Sequence, residues 1–100
     1  MISFTVRMRF AQEDRGEIAE ILEALTQASR QEPGCVSYIP HWVQGETCTV
    51  LIYEQYKDQK AEEAHRQSPH FKKYVETATP MIRSRQLYEA RPLFLGLRQR

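Results

Sequence analysis

Glycine, cysteine and tryptophan are scarce in this chain: the 100 residues contain four, two and one of them. Glycines this sparse leave no Gly-rich cradle for the phosphates of a nucleotide or flavin. Cys35 and Cys48 lack the close spacing of a zinc or redox motif, and no signal peptide is expected. Both are expected to be buried thiols of a cytoplasmic protein. No charge of one sign dominates, since 14 basic residues stand against 13 acidic ones for a net +1. That balance gives no broad attraction for polyphosphate or an anionic membrane surface, so nucleic acid and membrane are excluded as expected partners. No long hydrophobic run exists either, because Met1 to Phe10 is short and carries Arg7 and Arg9. A membrane span is not expected.

What is present is an ordinary hydrophobic share, 41%, spread along the chain without repeats or low-complexity segments. It predicts one ordered domain, and a domain this small leaves much of its surface exposed unless it finds a partner. Ile2, Phe4, Val6, Met8 and Phe10 alternate with Ser3, Thr5, Arg7 and Arg9, the pattern of a strand. Asp14 and Glu17 have capping-box spacing, and Ile18, Ile21, Leu22, Leu25 and Ala28 then recur at helical intervals up to the stop at Pro33-Gly34. A second strand is predicted from Cys35 to Val43, with an edge or bulge at Pro40, and a third from Thr47 to Tyr56 across a Gln44-Gly45-Glu46 hairpin. Asp58 is placed to cap a short helix through Arg66, and Ser68-Pro69 to restart another along Phe71, Val75, Ala78 and Ile82. Ser84 to Arg91 reads as a last strand.

This order is the ferredoxin-like α+β plan, with helices on one face of an antiparallel sheet. Both faces of the third strand are apolar, which predicts face-to-face pairing of two sheets in a homodimer. Residues 1–92 form the expected domain, and the tail 93–100, apolar from Leu93 to Leu97, is expected to reach the partner.

Two histidines flank the helix restart, His65 and His70. Imidazole trades protons near neutral pH, so the pair is a candidate reaction centre. His65 shares a helix face with Ala61 and Ala64, where core packing is the alternative role. His70 lies in the first turn of its helix, where the positive dipole end keeps the ring neutral and able to accept a proton; capping the turn is its alternative. Tyr53, Phe71 and Tyr74 can line a flat slot for an aromatic substrate or serve as core. If the polar face of the first strand meets the helices, Arg7 could hold a substrate oxygen. His41, His65 and His70 do not have the spacing of a metal triad, and no acidic residue completes a ligand pattern in sequence, so no metal is expected.

The stretches Glu32-Pro33-Gly34-Cys35-Val36-Ser37-Tyr38, Ile52-Tyr53-Glu54-Gln55-Tyr56-Lys57-Asp58, and Ala64-His65 with Ser68-Pro69-His70-Phe71-Lys72-Lys73-Tyr74 resemble the antibiotic biosynthesis monooxygenase family. The chain looks most similar to its small quinol monooxygenases. The resemblance implies a dimeric α/β barrel and oxidation of a quinol or polycyclic phenol by O₂ without cofactor. By that likeness His65 and His70 would act as base and orienter. Arg7 would favour the substrate anion, and Tyr38, Tyr53, Phe71 and Tyr74 would contact the small aromatic substrate. Haem-degrading relatives use a histidine, an asparagine and a tryptophan where this chain has Val75, Arg7 and His65, which argues against haem. Other relatives isomerise small phosphorylated metabolites, and a non-catalytic dimeric binding module is a third possibility.

Overall fold

The computed structural model describes residues 1–90. The tail and the boundary at residue 92 lie outside the described residues. The elements in chain order are β1 (Ile2–Arg9), α1 (Arg15–Arg30), β2 (Cys35–Trp42), β3 (Thr49–Tyr56), α2 (Gln59–Gln67), α3 (Pro69–Ala78) and β4 (Ser84–Ala90). The sheet runs β2-β3-β1-β4 with every neighbouring pair antiparallel, which is the ferredoxin-like arrangement. Among the described residues no helix is long and apolar enough to cross a membrane.

Side chains directly opposite one another in an antiparallel pair share a face of the sheet, so the register sorts every strand residue. Val6 lies opposite Ile52 and Leu87, and Met8 opposite Val50 and Arg85. Val6, Met8, Phe10, Val50 and Ile52 pack with Ile18, Leu22 and Leu25 of α1 in one buried cluster, so this is the face the helices cover. Arg7 lies opposite Leu51 and Gln86, and Thr5 opposite Tyr53 and Tyr88, so these residues belong to the other face. Ile39, opposite Tyr53, joins them, and both Ile39 and Tyr88 are exposed.

Local chemistry sets most boundaries. The Asp58 side chain accepts a hydrogen bond from the Ala61 N–H at 2.8 Å, satisfying a donor that the first turn of α2 would leave unpaired. Ser68 does the same for α3 through the Phe71 N–H at 3.2 Å, with Pro69 at the first helical position. One detail differs from expectation. Asp14 makes no side-chain cap; a 3-10 turn, Gln12–Asp14, leads into α1 and leaves Asp14 in helical backbone geometry. Pro40 lies on an edge strand as expected, in register opposite Ile52, and the irregularity in β2 falls between Cys35 and Ser37. An edge strand needs fewer ladder donors, so a proline is accommodated there without a bulge.

Gly34 marks a close approach between the loop before β2 and α2. A Cβ built on it would lie 2.3 Å from the Ala61 Cβ. Gly34→Ala is therefore expected to destabilise the fold by about 1–3 kcal/mol, the usual cost of overpacking, read as a lowered thermal midpoint. An unchanged midpoint would mean that α2 shifts at no cost.

Candidate active site

Between the helix-covered face of the sheet and the α2–α3 pair lies a cavity of about 320 Å³. Phe4, Tyr38, Phe71 and Tyr74 give it aromatic walls, and the polar groups that reach it include His65, Glu54 and Arg85. The i, i+2 spacing along β3 puts Ile52, Glu54 and Tyr56 on one face, so a carboxyl stands among apolar neighbours. The Tyr56 hydroxyl donates to Glu54 Oε1 at 2.8 Å.

His65 is almost wholly enclosed, its relative exposure being 2%. Its ring centroid lies 5.0 Å from that of Phe71, 5.1 Å from that of Tyr56 and 5.7 Å from that of Tyr38. Nδ1 is 3.0 Å from Oε2 of Glu32, while Nε2 is buried with no hydrogen-bond partner among the described residues. The Nε2 of His70 meets the same Glu32 oxygen. The one-residue break at Ser68 brings the two rings within 6.1 Å of each other.

Four of the residues picked from sequence therefore meet at the cavity: His65, Tyr38, Phe71 and Tyr74. His70 sits behind His65, lining a groove between α1 and α3 beside Glu20 and Lys73. Arg7 and Tyr53 lie elsewhere. They occupy the opposite face of the sheet, where Arg7 pairs with Glu46. The reason is the period of two along a strand: it groups Arg7 with Leu51 and Tyr53 with Thr5, and the helices cover the other set. Sequence reasoning missed Glu32 and Glu54. For Glu54 the signal was its strand parity with Ile52 and Tyr56, whereas Glu32 is 33 residues from His65 and only the fold joins them.

The sequence profile of the antibiotic biosynthesis monooxygenase family matches residues 1–77. The chain belongs to this family. A Bacteroides thetaiotaomicron protein named as a candidate antibiotic biosynthesis monooxygenase is 30% identical; its structure matches with a TM-score of 0.89 over 99% of this chain and 95% of that one. A Mycobacterium tuberculosis structure at 23% identity covers 96% of this chain and 98% of its own with a TM-score of 0.88, a likeness of fold alone. An uncharacterised Synechocystis protein is 29% identical over 66 residues, 66% of this chain and 45% of its own length. The chain thus spans less than half of that relative.

Within this family member the cavity's titratable groups are pulled from their ordinary ranges mainly by burial. Burial pushes the Glu54 carboxyl up to about 7, against the lowering effect of the Tyr56 hydrogen bond. The same cause lowers the His65 imidazole, against its hydrogen bond to Glu32, and raises the Tyr74 phenol to about 12. Tyr38 and Tyr56 are also raised by burial, so all three phenols stay protonated near neutrality. That leaves Glu54 able to change charge there.

The fold holds Glu54 most easily in its neutral form, so the stability tied to it is complete below the free-carboxyl value of 4.5 and is lost as pH rises through about 7. Over that window the parent protein is expected to lose on the order of 3 kcal/mol relative to Glu54→Gln, whose amide does not titrate. Chemical denaturation at stepped pH measures the difference, and parallel curves for the two proteins would refute it.

Proposed function

We propose that the chain is a cofactor-independent monooxygenase that oxidises a quinol or polycyclic phenol with O₂, with His65 as the base. The observation carrying this reading is that His65 lines an aromatic cavity while its buried Nε2 has no hydrogen-bond partner among the described residues. An ionised carboxylate only accepts hydrogen bonds, so Glu32 holds the His65 proton on Nδ1 and leaves the Nε2 lone pair free. A substrate hydroxyl would supply the partner that Nε2 lacks, and the aromatic rings would flank a flat ring system.

Proton transfer to Nε2 converts the hydroxyarene into an electron-rich anion. The lowered basicity of the buried ring suits it to give that proton back later in the cycle. The anion passes one electron to O₂, and the two radicals combine at a ring carbon. One oxygen atom then stays on the ring as a carbonyl and the other leaves as water. The substrate itself supplies the four electrons, so the chemistry calls on no external reductant. Arg85, on the same cavity wall as Glu54, takes the anion-favouring part that the sequence assigned to Arg7. His70 supports the site at one remove, by sharing Glu32 with His65.

The uncovered sheet face supports a homodimer in this reading. Ile39, Leu51, Tyr53 and Tyr88 lie on it, an apolar patch of the kind that pairs with a second copy. Light scattering at micromolar concentration is expected to give the mass of two chains, and a monodisperse monomer would rule the pairing out.

Oxygen uptake with a panel of reduced naphthoquinols tests the chemistry. His65→Ala is expected to lower kcat by about 100-fold or more, the usual contribution of a positioned base. Unchanged rates would remove His65 from the mechanism, and turnover of a phosphorylated metabolite under strict anaerobiosis would favour an isomerase instead.

A further inference from the structure

Glu32, His65 and His70 come from three separate elements: the loop between α1 and β2, α2, and α3. One donor atom from each lies within 4.8 Å of the other two. Both rings converge on one carboxylate, and among the described residues Glu32 has no ion-pair partner besides them. The carboxylate is largely enclosed, with 16% side-chain exposure, and so lacks both full hydration and a permanent cation. His70, with 26% exposure, gives solvent access from the groove between α1 and α3.

We propose that Glu32, His65 and His70 form a site for one divalent transition-metal ion, set behind the cavity wall, and that filling it stops His65 from accepting a proton. Two imidazoles and one carboxylate suit zinc and its neighbours better than magnesium or calcium, which prefer all-oxygen sets. Water entering by the groove completes the coordination. The ion would replace the hydrogen bonds by which both rings now contact Glu32, through His65 Nδ1 and His70 Nε2. Each neutral ring keeps its proton by moving it, through solvent, to the other nitrogen. At His65 that proton goes from Nδ1 to Nε2, so the lone pair to which the monooxygenase reading gives the substrate proton becomes an N–H donor. No proton is gained or lost by the rings, and the base is switched off.

Metal binding stands apart from any catalytic reading; the inhibition alone rests on the monooxygenase proposal. Chelator-treated protein titrated calorimetrically with zinc chloride is expected to bind one ion per chain and to gain in thermal midpoint as the site fills. Glu32→Gln and His70→Gln should each weaken binding by about tenfold or more, equivalent to ~1.4 kcal/mol, whereas His41→Gln, on the exposed sheet face, should bind as the parent does. His70→Gln keeps the experiment decisive if Glu32→Gln does not fold, because its ring is partly exposed. Absence of binding up to about 1 mM zinc, or equal affinity in the parent and folded variants, would overturn the site. Oxygen uptake that falls in step with zinc occupancy supports the switch, and uptake indifferent to occupancy refutes it. Zinc binding without turnover on any quinol would leave the metal site standing and remove the monooxygenase reading.

Discussion

A single carboxylate, Glu32, ties the functional half of the molecule together. It lies where α1 has ended and β2 is about to begin, and it holds one imidazole from each of the next two helices. The contact depends on the one-residue break at Ser68, which turns the chain so that residues five apart present their rings to the same point. It depends equally on Gly34, whose missing side chain lets α2 approach the loop that carries Glu32. With Nδ1 of His65 engaged, the tautomer of that ring is set, and everything proposed for its other nitrogen follows from the setting.

Around this contact the side chains are buried enough to change their acid–base chemistry. Burial is the first cause of every shift at Glu54, His65, Tyr38, Tyr56 and Tyr74. Its direction differs with charge type: the carboxyl and phenols rise while the imidazole falls, since each avoids its charged form. The outcome is a pocket in which a carboxyl is raised and an imidazole lowered from their ordinary values.

Much of the fold was legible before any coordinates. Alternation in Ile2 to Phe10, helical recurrence from Ile18 onward and the caps at Asp58 and Ser68 are local chemistry, decided within a few residues, and they recur in the structure at nearly the expected places. The Asp14 cap did not form because a 3-10 turn took up the chain before α1 and left Asp14 in helical backbone geometry. Pro40 lies on the edge strand β2, where the donor that proline lacks is not needed.

The site divides in the same way. Helical periodicity and the family likeness were enough to pick out His65, Phe71 and Tyr74, which lie on two helices joined by one residue. Strand parity grouped Arg7 with one face and Glu54 with the other, but parity does not say which face is covered when both are apolar; packing of α1, α2 and α3 decided that, and removed Arg7 and Tyr53 from the cavity. Glu32 was beyond reach, because a contact across 33 residues is made by the closing of the fold and leaves no period in the sequence. The sequence by itself determined the elements, their order and the imidazole pair, since these rest on short-range steric and hydrogen-bonding rules. Tertiary structure alone decided which carboxylates those imidazoles and the cavity would receive, since burial and long-range approach depend on how the elements pack.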